Sequence, residues 1–346
     1  MPLLTLALTA LLATNSAAAA PAATKPDVPA PALAHAWLEL GQSLRNSASP
    51  RDWALASQIF VESGDEAASA AKWRARGALL RKAAEAAPKD AYVQWLWANA
   101  MPAMVGCDAH APCPERAAAL AKLEPDNGAA WVPIINAAMA ANNMHDADAA
   151  LAHAVAATRY DERWSTSWKA WRDVYRRYPL PATHDQSDPF AADAEMSADG
   201  MAFSMAGATG VPAYAPLVRG CTRARYPQAT AAHFEDCGKL GRIMLKQGIT
   251  MLAQSIGAGI LQVSATANAD DRAAARSVEW RQHQYATHAL PFDQPSEIRA
   301  YVADLERTGN EVEAQQLQLR RAGLSLTPPA DWKPTRFGLL DASSKP

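Results

Sequence analysis

An all-helical fold is predicted by three features of this 346-residue sequence. Apolar residues recur at helical spacing through most of the chain, and no period-2 run of β-branched residues lies between turns. The third is composition: hydrophobic residues make up 49% but aromatics only 7%, because alanine dominates. Alanine faces let helices approach closely, which favours helix layered on helix.

The chain begins with an apolar run at residues 3–13, then Thr14, Asn15 and Ser16, then Ala17-Ala18-Ala19 as a cleavage signal. This pattern reads as a secretory leader over residues 1–20. The run is shorter than the ~20 residues of a membrane-spanning helix. No Lys or Arg precedes Lys25, so the amino terminus alone supplies the customary positive charge. No cysteine follows the run where a lipid would be attached, so the expected product is secreted or periplasmic, with no membrane span after leader removal. Residues 21–32 are rich in Pro and Ala and read as an extended linker.

From residue 33 the elements follow in order. Leu33, Trp37, Leu40 and Leu44 mark a first helix. Ser49-Pro50 opens a second, carrying Trp53, Ala56, Ile59 and Phe60 and closed by Gly64. A long Ala/Arg-rich helix over 66–87 stops at Pro88, and Asp90 opens another with Tyr92, Trp95, Leu96 and Met101. Pro114 begins a short helix to Leu123. Trp131, Ile134, Ile135, Ala138 and Met139 then define a buried face, with Pro133 near enough to the helix start to be accommodated. Beyond Asn142-Asn143, a further helix carries Ala147, Leu151, Ala154 and Val155. Trp164, Trp168, Trp171, Tyr175 and Tyr178 form a stripe that ends at Pro179.

Residues 128–160 resemble a tetratricopeptide repeat, a helix–turn–helix unit of about 34 residues. Trp131 and Ile134 suit its first helix, Asn142 its turn, and Ala147, Leu151 and Ala154 its second helix. Ile135 stands where a small residue is usual, and Arg159-Tyr160 where a proline is usual. Fainter matches are Trp53, Phe60 and Gly64, then Leu80, Ala83 and Pro88. Near the C-terminus, Ile298, Tyr301, Val302 and Leu305 lead through Thr308-Gly309-Asn310 to Ala314 and Leu317.

The resemblance implies antiparallel helix pairs stacked as an α-solenoid over residues 33–179. A helical C-terminal region follows at 180–327, non-repeating until its last helix pair, and then a tail at 328–346. Within that region, 187–203, 212–220 and 230–246 read as helices. Gly257 and Gly259 place the helix after Gly248 close against a neighbour; the rival reading there, a membrane segment, is disfavoured by Gln254 and Gln262.

Four cysteines form two local pairs, Cys107 with Cys113 and Cys221 with Cys237, and in an exported chain they read as disulfides. The alternative is soft-metal ligation by Cys107, His110 and Cys113, for which no local fourth ligand exists. The eight histidines are scattered and read as surface or satisfied core residues. No nucleophile elbow or phosphate-binding glycine loop occurs. Glu62-Ser63 resembles the catalytic Glu-Ser of periplasmic lytic transglycosylases, but that family's downstream signature is missing and Glu62 reads as a solvated residue.

The aromatic stripe has two readings. It packs in the core, or Trp164, Trp168, Trp171 and Tyr175 line a concave groove rimmed by Arg172 and Arg176. A formal charge of −2, from 33 basic and 35 acidic residues, argues against nucleic acid. The expectation is a non-enzymatic binder of a protein or peptide, with no cofactor. An envelope hydrolase with carboxylates from distant helices and a toxin-neutralising partner are the alternatives.

Overall fold

The computed structural model describes residues 30–59, 66–101, 104, 114–180, 194–209, 211–288 and 294–333. Among them are fifteen α-helices and no strand. The leader, most of the linker, Phe60, Glu62, Ser63, Gly64, Cys107, His110 and Cys113 lie outside the described residues.

Seven helices run from α1 (Ala30–Asn46) through α2 (Pro50–Ala56), α3 (Glu66–Ala86), α4 (Ala91–Ala98), α5 (Pro114–Leu123) and α6 (Gly128–Ala140) to α7 (Met144–Ala156). Each packs against the next. Their starts follow from local chemistry. Ser49 accepts from the Asp52 amide with Pro50 in the first turn, Asp90 accepts from Tyr92 and Val93, and Asn127 and Asn143 cap α6 and α7. Helix α1 begins inside the expected linker, since a proline at position 31 is compatible with a first turn. Helix α4 ends at Ala98, which leaves Met101 beyond it and 48% exposed.

On α6 Ala129, Ala130, Val132 and Ile135 are fully buried and Ala138 and Met139 nearly so; Trp131 and Ile134 are only half-buried. Trp131 instead stacks on His153 of α7 at 4.2 Å. The turn between them places Asn142 in the left-handed region, at φ 55°. Asparagine tolerates this conformation better than most residues.

The chain continues with α8 (Trp164–Arg177), α9 (Ala194–Thr209), α10 (Tyr214–Gly220), α11 (Ala231–Gln247), α12 (Met251–Val263), α13 (Ala269–Thr287), α14 (Pro295–Thr308) and α15 (Glu311–Arg321). Helix α8 packs on α9, α9 on α14, and α14 on α15. Helix α11 joins the halves by packing on both α7 and α12, and α10 does the same between α6 and α12. One hydrophobic cluster runs from Leu40 to Ala314, with a smaller one between α11, α12 and α13. No helix among the described residues is long and apolar enough to cross a membrane.

Helix α13 is absent from the sequence reading, although Asn268 and Asp271 form a reciprocal capping box at its start. The first described residues of the expected tail pack onto it: Arg276 donates to the Trp332 carbonyl, and Trp332 meets Trp280 edge-to-face at 5.2 Å.

Helices α11 and α12 touch through their backbones. A Cβ on Gly257 would lie 2.7 Å from the Gly241 carbonyl oxygen and 2.8 Å from the Leu245 amide, so neither helix accommodates a methyl group there. Gly257→Ala is therefore expected to destabilise the protein by about 1–3 kcal/mol, the usual range for overpacking. Urea unfolding checks this through a lowered midpoint at unchanged slope.

Candidate functional site

One exposed group of charged residues lies along α3. Arg74, Ala78, Arg81, Lys82 and Glu85 recur at helical spacing, and that face is exposed. Ala75, Ala78 and buried Gly77 keep its floor low. Arg45, from the end of α1, and Met104 complete the walls. Two adjoining open concavities result, of about 350 and 300 Å³, sharing Ala78 and Lys82. Four cations, Arg45, Arg74, Arg81 and Lys82, face one carboxylate, Glu85.

Tryptophans take the place that carboxylates hold elsewhere in the fold. The Lys82 ammonium lies 4.1 Å from the Trp53 ring centre, and Arg81 and Arg116 lie over Trp97 at 5.7 and 5.0 Å. Arg76 lies over Trp73 at 4.2 Å and donates to the Ser57 carbonyl. Burial, with Arg45 nearby, lowers the Arg76 guanidinium to about 10. Among the described residues no carboxylate forms an ion pair with Arg45, Arg74, Arg81 or Lys82. The face therefore keeps a local positive field in a chain of formal charge −2.

The aromatic stripe is enclosed. Trp164 is 7%, Trp168 and Trp171 0%, and Tyr175 2% exposed, so these rings offer no surface to a ligand. Trp164 and Trp168 stack on Phe203 of α9, and Trp171 stacks on Tyr175. Arg172 is buried as well, paired with Asp199 and Glu306, while exposed Arg176 pairs with Glu195 at 2.5 Å. Burial raises Asp199 to about 6 even against the Arg172 charge. These six residues join α8 to α9 and α14, and the spacing that makes a groove wall equally makes a packing face.

A second group of polar residues gathers at the start of α12. Glu162, 1% exposed, accepts from the Tyr214 hydroxyl with one oxygen and from the Thr250 hydroxyl with the other. Tyr214 is also 3.1 Å from the Tyr160 hydroxyl. Glu311, half-buried, accepts from the Met251 amide at 2.9 Å. Both carboxyls thus meet the first turn of one helix. Burial pushes each up to about 7; donors from Thr250 and Tyr214 resist this for Glu162, and the Met251 amide resists it for Glu311. The magnitudes explain why burial wins: a helix N-terminus favours an anion by about 0.3–1 kcal/mol, whereas desolvating an ion costs several. Sequence reading did not reveal this group, because its members come from four separate segments.

Cys221 and Cys237 have their sulfurs 2.10 Å apart, so these two pair locally. His233, 1% exposed and one turn before Cys237, lies 2.7 Å from Asp148 through Nδ1 and 3.1 Å from the Gly220 carbonyl through Nε2. Among the described residues no three His, Cys, Asp or Glu converge as a metal site.

No protein-family model matches this sequence, and no curated protein or solved structure matches it either.

Alkylation without reductant should leave Cys221 and Cys237 unmodified under denaturing conditions. Replacing both by Ser is expected to cost about 3 kcal/mol in a urea titration, as chain-entropy models give for a loop of this size.

Proposed function

We propose that this chain is an exported, non-enzymatic scaffold whose helix pairs stack in the tetratricopeptide-like manner. In this reading it binds an acidic peptide segment of a partner protein along α3. The supporting observation is the furrow itself: two contiguous concavities whose cations form no ion pair with a carboxylate among the described residues and whose floor is alanine and glycine. A small-residue floor admits a peptide backbone closely, and Arg81 and Lys82, held on tryptophan faces, keep their donors for carboxylates. Helical stacks present extended surfaces of this kind, and they recognise peptides along them. Export is supported by the leader-like start and by the Cys221–Cys237 pairing.

A fluorescent oligo-glutamate peptide tests the reading by anisotropy. Binding is expected to weaken as salt rises, and to fall at least about tenfold in the Arg74→Glu, Lys82→Glu double variant. Lys89→Glu, outside the furrow, should leave it unchanged. The reading fails if oligo-glutamate does not bind, if the double variant binds equally, or if a single-stranded oligonucleotide binds as tightly.

A further inference from the structure

We propose that the seam joining Glu162, Tyr214, Thr250 and Glu311 is a pH-sensitive latch between the two halves of the chain, fastened with its carboxyls protonated and loosened when they ionise. The seam is where the halves meet. Tyr160 and Gly248 pair through their backbones, Tyr214 opens the helix that packs on both α6 and α12, and Glu311 opens the last helix. The Val312 amide donates to the Ile249 carbonyl beside it. One deprotonation therefore acts on α8, α10, α12 and α15 together.

Among the described residues, the groups that face the two carboxyls include no cation to hold a negative charge. Glu162 faces Tyr160 and Asp161 on its own segment, Tyr214 on α10, Thr250 at the head of α12 and Glu311 on α15. Glu311 faces Glu162, Tyr285 of α13 and Tyr301 of α14. The neighbouring arginines, Arg159 and Arg163, turn instead to Asp161, Asp126 and Glu124. Among the described residues neither Glu162 nor Glu311 has an ion-pair partner.

Opposing forces meet at Glu162, and burial outweighs the donors. Hydroxyls from Tyr214 and Thr250 both suit a carboxylate, and Tyr160 can donate onward to Tyr214. Against them stand complete burial and a second carboxyl at the same helix start. Such a group changes charge near neutrality, consistent with native values of about 7 for both.

In the unfolded chain these carboxyls ionise in the ordinary range, near 4.5. Between that range and about 7 the native state binds more protons than the unfolded state, so stability falls as pH rises through the window. The strongly paired Asp52, Asp271 and Asp304 have lowered values and act with the opposite sign at more acid pH. Asp199 acts with the same sign and has to be separated.

Hydrogen exchange on the intact protein at pH 5 to 8, corrected for intrinsic rates, reads the latch at the amides of residues 248–254. Local opening there is expected to rise on the order of a hundredfold for each carboxyl, as the displacement of each from the ordinary range implies. Amides of α3 to α5 should change much less. Glu162→Gln with Glu311→Gln should flatten the profile, while Asp199→Asn should leave it steep. Should the double variant fail to fold, Glu311→Gln alone, at the half-buried position, should make the profile shallower. A flat wild-type profile, or a parallel rise across all helices, overturns the proposal.

Discussion

The extended segment 157–162 has to satisfy its buried backbone on both flanks, and the joining of the two halves depends on how it does so. On one side Thr158 and Arg159 donate to the Asp126 carbonyl, and Gly128 donates back to Arg159. Asn127, fully buried, accepts from the Asp161 amide and donates to the Asp161 carbonyl, closing a reciprocal pair. On the other side Tyr160 pairs with Gly248. Each such group left unpaired would cost about 1–3 kcal/mol, so the segment fixes α6 and α12 relative to each other. Gly128 fits closely here: a Cβ would lie 3.0 Å from the Ala154 carbonyl and 3.1 Å from the Tyr160 ring.

Charges are arranged in two ways. Where helices must be fastened, buried carboxylates meet guanidinium groups: Glu124 with Arg159 and Arg163, Asp199 with Arg172, Asp52 with Arg177 at 2.8 Å and Asp271 with Arg242 at 2.9 Å. Breaking such a pair strands an ion in the interior, which is costlier than never having built it. Two groups depart from this rule. Among the described residues, the carboxyls at the head of α12 form no ion pair with a cation, and Arg74, Arg81 and Lys82 of α3 form none with a carboxylate. The first departure is enclosed and acts on the protein itself, while the second faces water and acts on whatever approaches.

The helical class was legible because apolar periodicity survives in a single sequence. Trp164, Trp168, Trp171 and Tyr175 announced α8, and Ile298, Val302 and Leu305 announced α14. Helix α13 was missed because few of its residues are buried apolar ones: Ala275 and Val278 make no stripe, and only Asn268 with Asp271 signalled its start. The role of the aromatic stripe was not legible, since a core face and a groove wall share one spacing and only Phe203, Asp199 and Glu306 on other helices decide between them. The furrow was hidden for a related reason. Nothing in the local sequence marks Arg74, Arg81 and Lys82, which become a furrow only where Arg45 of α1 and Met104 wall them in. Glu162 and Glu311 lie at opposite ends of the C-terminal half, and nothing in either local context marks them as neighbours.

Arg163 carries a consequence for the order of assembly. It stands immediately before α8 at φ 58° and ψ 17°, a conformation that an arginine does not choose for itself, and its side chain reaches Glu124 at the end of α5. A local cap of serine or aspartate would start a helix autonomously. This start instead draws on the Asp161 carboxylate, which accepts from the Arg163 amide at 2.8 Å, and on Glu124 some forty residues away, so part of its anchoring carries the entropy of closing that loop. The start of this tryptophan-bearing helix is thereby tied to the end of α5, a contact that exists only once the chain between them has closed.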